Sequence, residues 1–310
     1  MKLTSRACAI EDDFWKTRNF LREIFLLNGS LEHSWHVARL DYWHWHFIKT
    51  CNIFGSVEKG LTIWENTDGK IIAALNHLGQ SELRLHIDQR FRSPELENEI
   101  LAYGEENFFS ISDDGRRHIL MPIFEDDTQR QEIAQSRGYK RRPGWGHHYR
   151  RDLDSPIPDV VIPSGYEIRP MGGAEEYPAR SWASWRAFHN DEPDENYDDD
   201  FSWYANLQSA PLYRRDLDVV AVASDESIAA FCTIFYDDFT RSAVTVLVGT
   251  AVEHWRRGLG KAIITEGLRR LKEMGCKHVF STAHEEPADF LYRSVMGEMK
   301  VTDTWVKVIT

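Results

Sequence analysis

The sequence predicts an α/β chain, more finely α+β, built from two domains that repeat one order of elements. Three observations predict it. Apolar strand-like runs alternate with amphipathic helical runs along the 310 residues. The second half reads strand, two helices, three strands, helix, strand, helix, strand, and the first half gives the same order, which indicates an internal duplication. Between them Asp152–Gly165 holds three prolines and a Ser-Gly end, the composition of an extended connection. The expected division is therefore 1–151, a linker 152–165, and 166–310, with about 150 residues suiting each core.

In the first half, Phe14, Leu21 and Phe25 mark a helix over 11–27, and Trp35, Leu40, Trp43 and Phe47 a second over 31–50. Leu61–Glu65 and Lys70–Leu75 read as strands around Asn66-Thr-Asp-Gly69, whose Asp-Gly step signals a hairpin. Glu82–Ile87 alternates like a half-buried strand. Ser93-Pro94-Glu95 supplies an N-cap, a first-turn proline and an acid for the next helix. A strand at His118–Met121, a helix from Asp127 to Arg137 and a strand near His147–Arg151 complete the half. His33, His36, His44 and His46 lie among Trp35, Trp43 and Trp45, but no carboxylate completes a metal-ligand spacing. They read as core or pocket wall, and no metal is expected.

In the second half, Tyr166–Pro170 is a strand and Glu175–Phe188 a helix. Residues 191–200 contain seven acids, which read first as a solvated loop and secondly as a lid attracting a cationic acceptor. Phe201–Leu207 continues helically. Asp218–Ala223 and Ser227–Tyr236 form a hairpin that leads to the strand Val244–Val252. The turn Glu253–Lys261 then opens a helix over 258–274, with Leu259, Ile263, Leu271 and Met274 on the sheet-facing stripe and Glu266 and Arg270 spaced to pair on the other side. His278–Ala283 and Pro287–Val295 are a further strand and helix.

Composition bounds the partners. A hydrophobic content of 42% suffices for packed cores, and a net charge of −12 argues against nucleic acid or an anionic membrane surface. Cys8, Cys51, Cys232 and Cys276 have no CxxC spacing, so neither a disulfide framework nor a zinc site is indicated. The apolar run Phe20–Leu27 is broken by charge and too short to span a bilayer. A cytoplasmic location is the expectation, and nothing in the sequence specifies an oligomeric state.

The chemistry concentrates at 244–295. A strand, a basic glycine-containing turn and a helix together grip a pyrophosphate: glycines 258 and 260 let the backbone approach, and the first helical amides point at the anion with the dipole behind them. Arg256, Arg257 and Lys261 add charge. Trp255-Arg-Arg-Gly-Leu-Gly260 resembles the Gln/Arg-x-x-Gly-x-Gly/Ala turn of the GCN5-related N-acetyltransferases, the GNAT proteins, with Trp255 at the Gln/Arg position. Glu285-x-x-Ala288-x-x-Leu291-Tyr292 is similar to the family's Asn-x-x-Ala-x-x-Leu-Tyr segment, with Glu285 for asparagine and Met296-Gly297 where Gly-Phe would close it. The whole chain resembles a tandem GNAT, the arrangement of mycothiol synthase. The resemblance implies two GNAT-like domains, each a mixed, mostly antiparallel sheet flanked by helices, the first degenerate. In the first half Asp88–Pro94 has no glycine, and Ile133-Ala134 stands where Leu-Tyr would.

The resemblance further implies acetyl-CoA as acyl donor and transfer to the primary amine of a small molecule. Backbone amides around Val248, Gly249 and Thr250 would hold the pantetheine arm and stabilise the oxyanion. Residues 255–261, Leu259 included, would take the pyrophosphate, with Glu285 beside them. Tyr292 would be the general acid, since a phenol of pKa about 10 can protonate a thiolate of pKa about 8.5. Glu253, His254, His189 and Glu285 are open candidates for the base, and Cys232 or Cys276 for an acyl-cysteine. Acetylation of a protein amine is a variant; a CoA-binding sensor or scaffold without turnover is the alternative from another class.

Overall fold

The computed structural model describes residues 3–9, 11–53, 55–79, 81–113 and 115–309. Along the chain run β1 (Thr4–Ala7), α1 (Glu11–Asn28), α2 (Val37–Tyr42), α3 (Val57–Gly60), β2 (Leu61–Glu65), β3 (Ile71–Leu78), β4 (Glu82–Ile87), α4 (Pro94–Asn107), β5 (Ser110–Ile111), β6 (Arg117–Phe124), α5 (Thr128–Ser136) and β7 (Lys140–Asp152). There follow β8 (Tyr166–Pro170), α6 (Tyr177–Phe188), α7 (Ser202–Gln208), β9 (Asp218–Ala223), β10 (Ile228–Asp237), β11 (Ser242–Thr250), α8 (Leu259–Glu273), β12 (His278–Ala283), α9 (Glu286–Val295) and β13 (Glu298–Ile309). The residues divide into two compact units, 1–147 with 300–310, and 148–299. Among the described residues, no helix is long and apolar enough to cross a membrane.

The first unit has strand order β1-β2-β3-β4-β6-β13, with β5 on the β6 edge. Pairing is antiparallel except between β4 and β6. Residues 300–309, expected with the second domain, instead pair with β6 from Thr302↔Phe124 to Ile309↔Arg117. Local chemistry explains several boundaries. Asn66 Oδ1 accepts from the amides of Asp68 and Lys70 at 3.0 and 2.9 Å and closes the hairpin. Ser93 Oγ accepts from Leu96 N at 3.2 Å, with Pro94 in the first turn of α4. Trp64, Leu75, Ile100, Leu101 and Met121 are buried in the core.

The helix expected over 31–50 begins only at Val37. His36 is extended, and its Nδ1 accepts from Ala38 N at 3.1 Å, so an N-cap stands where helix was read. From Trp43 to Ile48 the backbone widens into a π-helix, which the 3.6-residue period could not reveal. The four histidines are packing groups. His36 is the cap, and His44 and His46 lie against Phe14 and Tyr42, with burial pushing both imidazoles down to about 4. His33 Nδ1 is 3.1 Å from an Arg92 guanidinium nitrogen.

The second unit has strand order β7-β12-β11-β10-β9-β8, antiparallel from β8 to β11 and parallel between β11 and β12. Each unit is thus a mixed, mostly antiparallel sheet flanked by helices. Leu259, Ile263 and Leu271 of α8 are buried against β9 and β10, with Met274 packed beside them. Arg270 does pair with Glu266, at 2.7 Å, but Glu266 is itself buried and also receives Arg269. The pair is therefore part of the packing and not of a solvent face.

Candidate active site

Two features of β11 shape a cleft in the second unit. Its parallel pairing with β12 runs only from Ser242↔His278 to Val244↔Phe280, although both strands continue. The hydroxyls of Thr245 and Ser281, 2.8 Å apart, are tied just past the last pair. Beyond them the β12-facing edge of β11 has no register with β12. On its other edge β11 pairs with β10 up to Ala230↔Thr250, with a bulge where Thr233 faces Leu247 and Ile234 faces Thr245. A bulge kinks and twists a strand, which fits the divergence from β12.

Val248, Gly249 and Thr250 lie on this edge of β11. Gly249 is required by packing: a Cβ there would sit 2.4 Å from Phe231 Cζ and 2.9 Å from Ala187 Cβ. After a 3₁₀ turn at Val252–His254, Arg256 and Gly258 both take left-handed backbone, at φ +60 and +83. Gly258 is the N-cap of α8 and offers no side chain to its first amides, so that helix end stays open to an anion. Nothing lies within 4 Å of a Cβ built at Gly258; its need is conformational. Gly260 differs from the sequence reading. It lies in the first turn of α8, and its Cβ would press on Leu291 of α9 at 3.1 Å, so it sets the spacing of two helices. Leu259 is buried in the core.

The basic residues divide. Arg256 and Lys261 are exposed, and among the described residues their side chains have no hydrogen bond or ion pair. Arg257 donates to Tyr166 Oη at 2.8 Å and to the Glu253 carbonyl at 3.1 Å, bracing the turn. Trp255 donates its indole N–H to the Thr250 carbonyl at 2.7 Å, which ties the turn back onto the end of β11.

Tyr292 is 6% exposed on α9, its ring centroid 5.8 Å from that of Tyr149. The Tyr149 hydroxyl donates to Asp289, which Arg293 holds at 2.8 Å. Burial, and then the Asp289 carboxylate, push Tyr149 up to about 12. Tyr149, Tyr166 and Arg186 escaped the sequence reading because no local pattern distinguishes them. Three of the four candidate bases are engaged: Glu253 with Arg186 at 2.7 Å, His254 with the Tyr166 hydroxyl at 2.9 Å, and His189 with Glu192 at 2.8 Å. Glu285 is exposed at the N-cap of α9 without a side-chain capping bond. Burial pushes the Cys232 thiol far up and Cys276 up to about 12, so neither is an available nucleophile.

Residues 179–297 match the model of the acetyltransferase (GNAT) family. They form a GNAT-fold domain. Similar solved structures include a GCN5-related N-acetyltransferase from Sphaerobacter thermophilus, 18% identical, covering 99% of this chain and 95% of that one at a TM-score of 0.66. A tandem GNAT protein from the clavulanic acid biosynthesis pathway is 13% identical and covers 99% and 98% at 0.65. Saccharomyces cerevisiae N-myristoyltransferase is 10% identical and covers 99% and 79% at 0.57. Among curated proteins none matches in sequence.

Outside the GNAT-fold segment, the first unit treats its helix ends differently. Ser93 caps α4, and Asp127 caps α5 by accepting from Arg130 N at 3.1 Å. The buried Glu97 carboxylate in the first turn of α4 receives Arg92 and, at 2.8 Å, Arg130. Burial pushes Asp127 up, but the Arg130 and Arg92 guanidiniums more than offset it and leave it below its ordinary value. The chain's own acids thus occupy both dipole ends. Ile133 and Ala134 are buried. Glu97→Ala would leave two largely buried guanidiniums sharing the single carboxylate of Asp127. Because Asp127 still compensates them in part, a loss of about 2–3 kcal/mol is expected in urea unfolding followed by tryptophan fluorescence.

Proposed function

We propose that the protein is an acetyl-CoA-dependent N-acyltransferase that acetylates a primary amine of a small molecule, with catalysis in the second unit of a tandem arrangement. The observation that carries this reading is the uncapped N-terminus of α8 behind the left-handed Gly258, beside the edge of β11 that leaves β12. The residues fit the donor: open helix amides and the exposed Arg256 and Lys261 suit a diphosphate, and the β11 edge at Val248–Thr250 suits an extended amide chain. Acetyl-CoA, when bound, supplies an activated thioester and a thiolate leaving group. The amides of β11 would stabilise charge developing on the acyl oxygen. Tyr292 would hold the proton that the thiolate takes. As the N–C bond forms and the C–S bond breaks, the proton the amine sheds leaves by a base, for which Glu285 is the candidate whose side chain has no hydrogen bond or ion pair among the described residues.

The first unit would bind no acetyl-CoA, because its helix ends are internally neutralised. A second reading, a CoA-binding sensor, is favoured by the burial of Tyr292 and by the indole of Trp255 closing on Thr250. Calorimetric titration with acetyl-CoA tests the proposal. One site per chain is expected. Two sites would overturn the reading of the first unit, and no binding would sink the transferase.

A further inference from the structure

Arg180 carries a positive charge in the core of the second unit. It is wholly buried on α6, and among the described residues its Nε and Nη1 have no hydrogen-bond partner. Nη2 donates to Thr233 Oγ1 over a long 3.4 Å. The guanidinium lies 3.5 Å from the centroid of the Phe231 ring and 5.2 Å from that of Tyr204. Burying a cation with unmade hydrogen bonds costs stability, so its place here calls for a role beyond packing.

What Arg180 touches is the strand pair that shapes the β11 edge. Phe231 is the register partner of Gly249, and its Cζ would sit 2.4 Å from a Cβ there. Ala187, which abuts the same point, comes seven residues after Arg180, about two helical turns, and so shares its face of α6. Thr233 stands at the bulge between β10 and β11, on the same face of β10 as Phe231. One guanidinium therefore spans the bulge that twists β11 and the ring that backs Gly249. Its charge is met at one remove. Thr233 Oγ1 donates to Asp218 Oδ1 at 2.8 Å, which leaves a lone pair of that oxygen facing Arg180. Asp218 also accepts from the hydroxyls of Tyr204 and Tyr213, so its carboxylate keeps three donors without Arg180.

We infer that Arg180 is a positioning residue for acyl transfer: it holds Phe231 against Gly249 and steadies the bulge, and so sets where the β11 amides meet the acyl oxygen of the donor. This rests on the acetyltransferase reading of the β11 edge. A flat guanidinium over a ring face, with one nitrogen aimed at a hydroxyl, fixes the tilt of the ring and its distance from the bulge. An alkyl chain fixes neither.

The experiment is infrared difference spectroscopy of the full chain with acetyl-CoA isotope-labelled at the thioester carbonyl, beside calorimetric titration with acetyl-CoA and a thermal melt. A carbonyl that accepts from well-placed amides absorbs at lower frequency than the free thioester, and that downshift is expected in the wild-type chain. Arg180→Met, similar in length and apolar, should lose about half of the downshift or more and bind acetyl-CoA within a factor of about three. It should melt no lower than wild type, because it removes an unsatisfied charge and leaves Asp218 its donors. Phe231→Leu should lose the downshift too, and the double variant no more than the worse of the two. An unchanged downshift in Arg180→Met overturns the inference, and so do additive losses in the double variant. A loss that comes with a lower melting temperature overturns it as well, since a mere support of the fold behaves that way. Wild-type chain that binds acetyl-CoA without a downshift removes the β11 amides, and Arg180 with them, from the acyl oxygen. Wild-type chain that binds no acetyl-CoA overturns the acetyltransferase reading itself.

Discussion

Tyr292→Phe is expected to lower kcat for amine acetylation by about 10²-fold or more while leaving the affinity for acetyl-CoA within a factor of about three. The substitution deletes one oxygen and keeps the ring, which stays packed beside Tyr149 in the core of the second unit. Stability should move by no more than about 1.5 kcal/mol, the worth of a hydroxyl hydrogen bond. A proton donor to the leaving thiolate acts only as the C–S bond breaks, so its loss appears in kcat and not in binding. Steady-state rates with calorimetric affinities for both proteins settle the matter. Unchanged kcat would remove Tyr292 from the chemistry, and a wild-type chain that binds acetyl-CoA but acetylates none of the amines tried would favour the sensor.

Gly258→Val should weaken acetyl-CoA binding at least tenfold and leave the rest of the fold intact. At φ +83 a β-branched side chain pays about 1–2 kcal/mol or more in backbone strain, although no neighbour lies within 4 Å of the new Cβ. The turn relieves that strain by rotating, and rotation swings the first amides of α8 off the anion. Titration reads the affinity, and a thermal melt checks the fold. Full-strength binding in this variant would show that the α8 terminus is not where the diphosphate sits.

Much of this was legible from residue order, wherever a local rule governs. The Asp-Gly hairpin, the Ser93 cap and the strands Leu61–Glu65, Glu82–Ile87 and Asp218–Ala223 follow from turn chemistry and alternation, and the structure places them as read. The glycine turn into α8 was legible for the same reason, but Gly258, read as the first helical residue, proves to be the left-handed N-cap. Non-local facts were not. β1 and β5 are too short to show a period, and the π-helix at 43–48 breaks the period that would announce it. Gly260 reads as a phosphate glycine until Leu291, distant in sequence, is seen against it. Tyr149 reaches Tyr292 across more than a hundred residues of chain, and Arg180 meets Phe231 only when α6 packs on β10.

The pairing of residues 300–309 with β6 sets an order of events during synthesis. A ribosome delivers α1 to α5 well before the strand that completes their sheet, which follows β12 and α9 in the chain. The first unit must therefore wait, with the β6 edge unpaired, until residues 300–309 have emerged, whereas all of residues 148–299 is available somewhat sooner. A frameshift or early stop near residue 300 would thus injure the unit that holds residues 1–147. Residues 300–309 thus act as a late check on residues 1–147, and a chain stopped short of them displays an unpaired sheet edge.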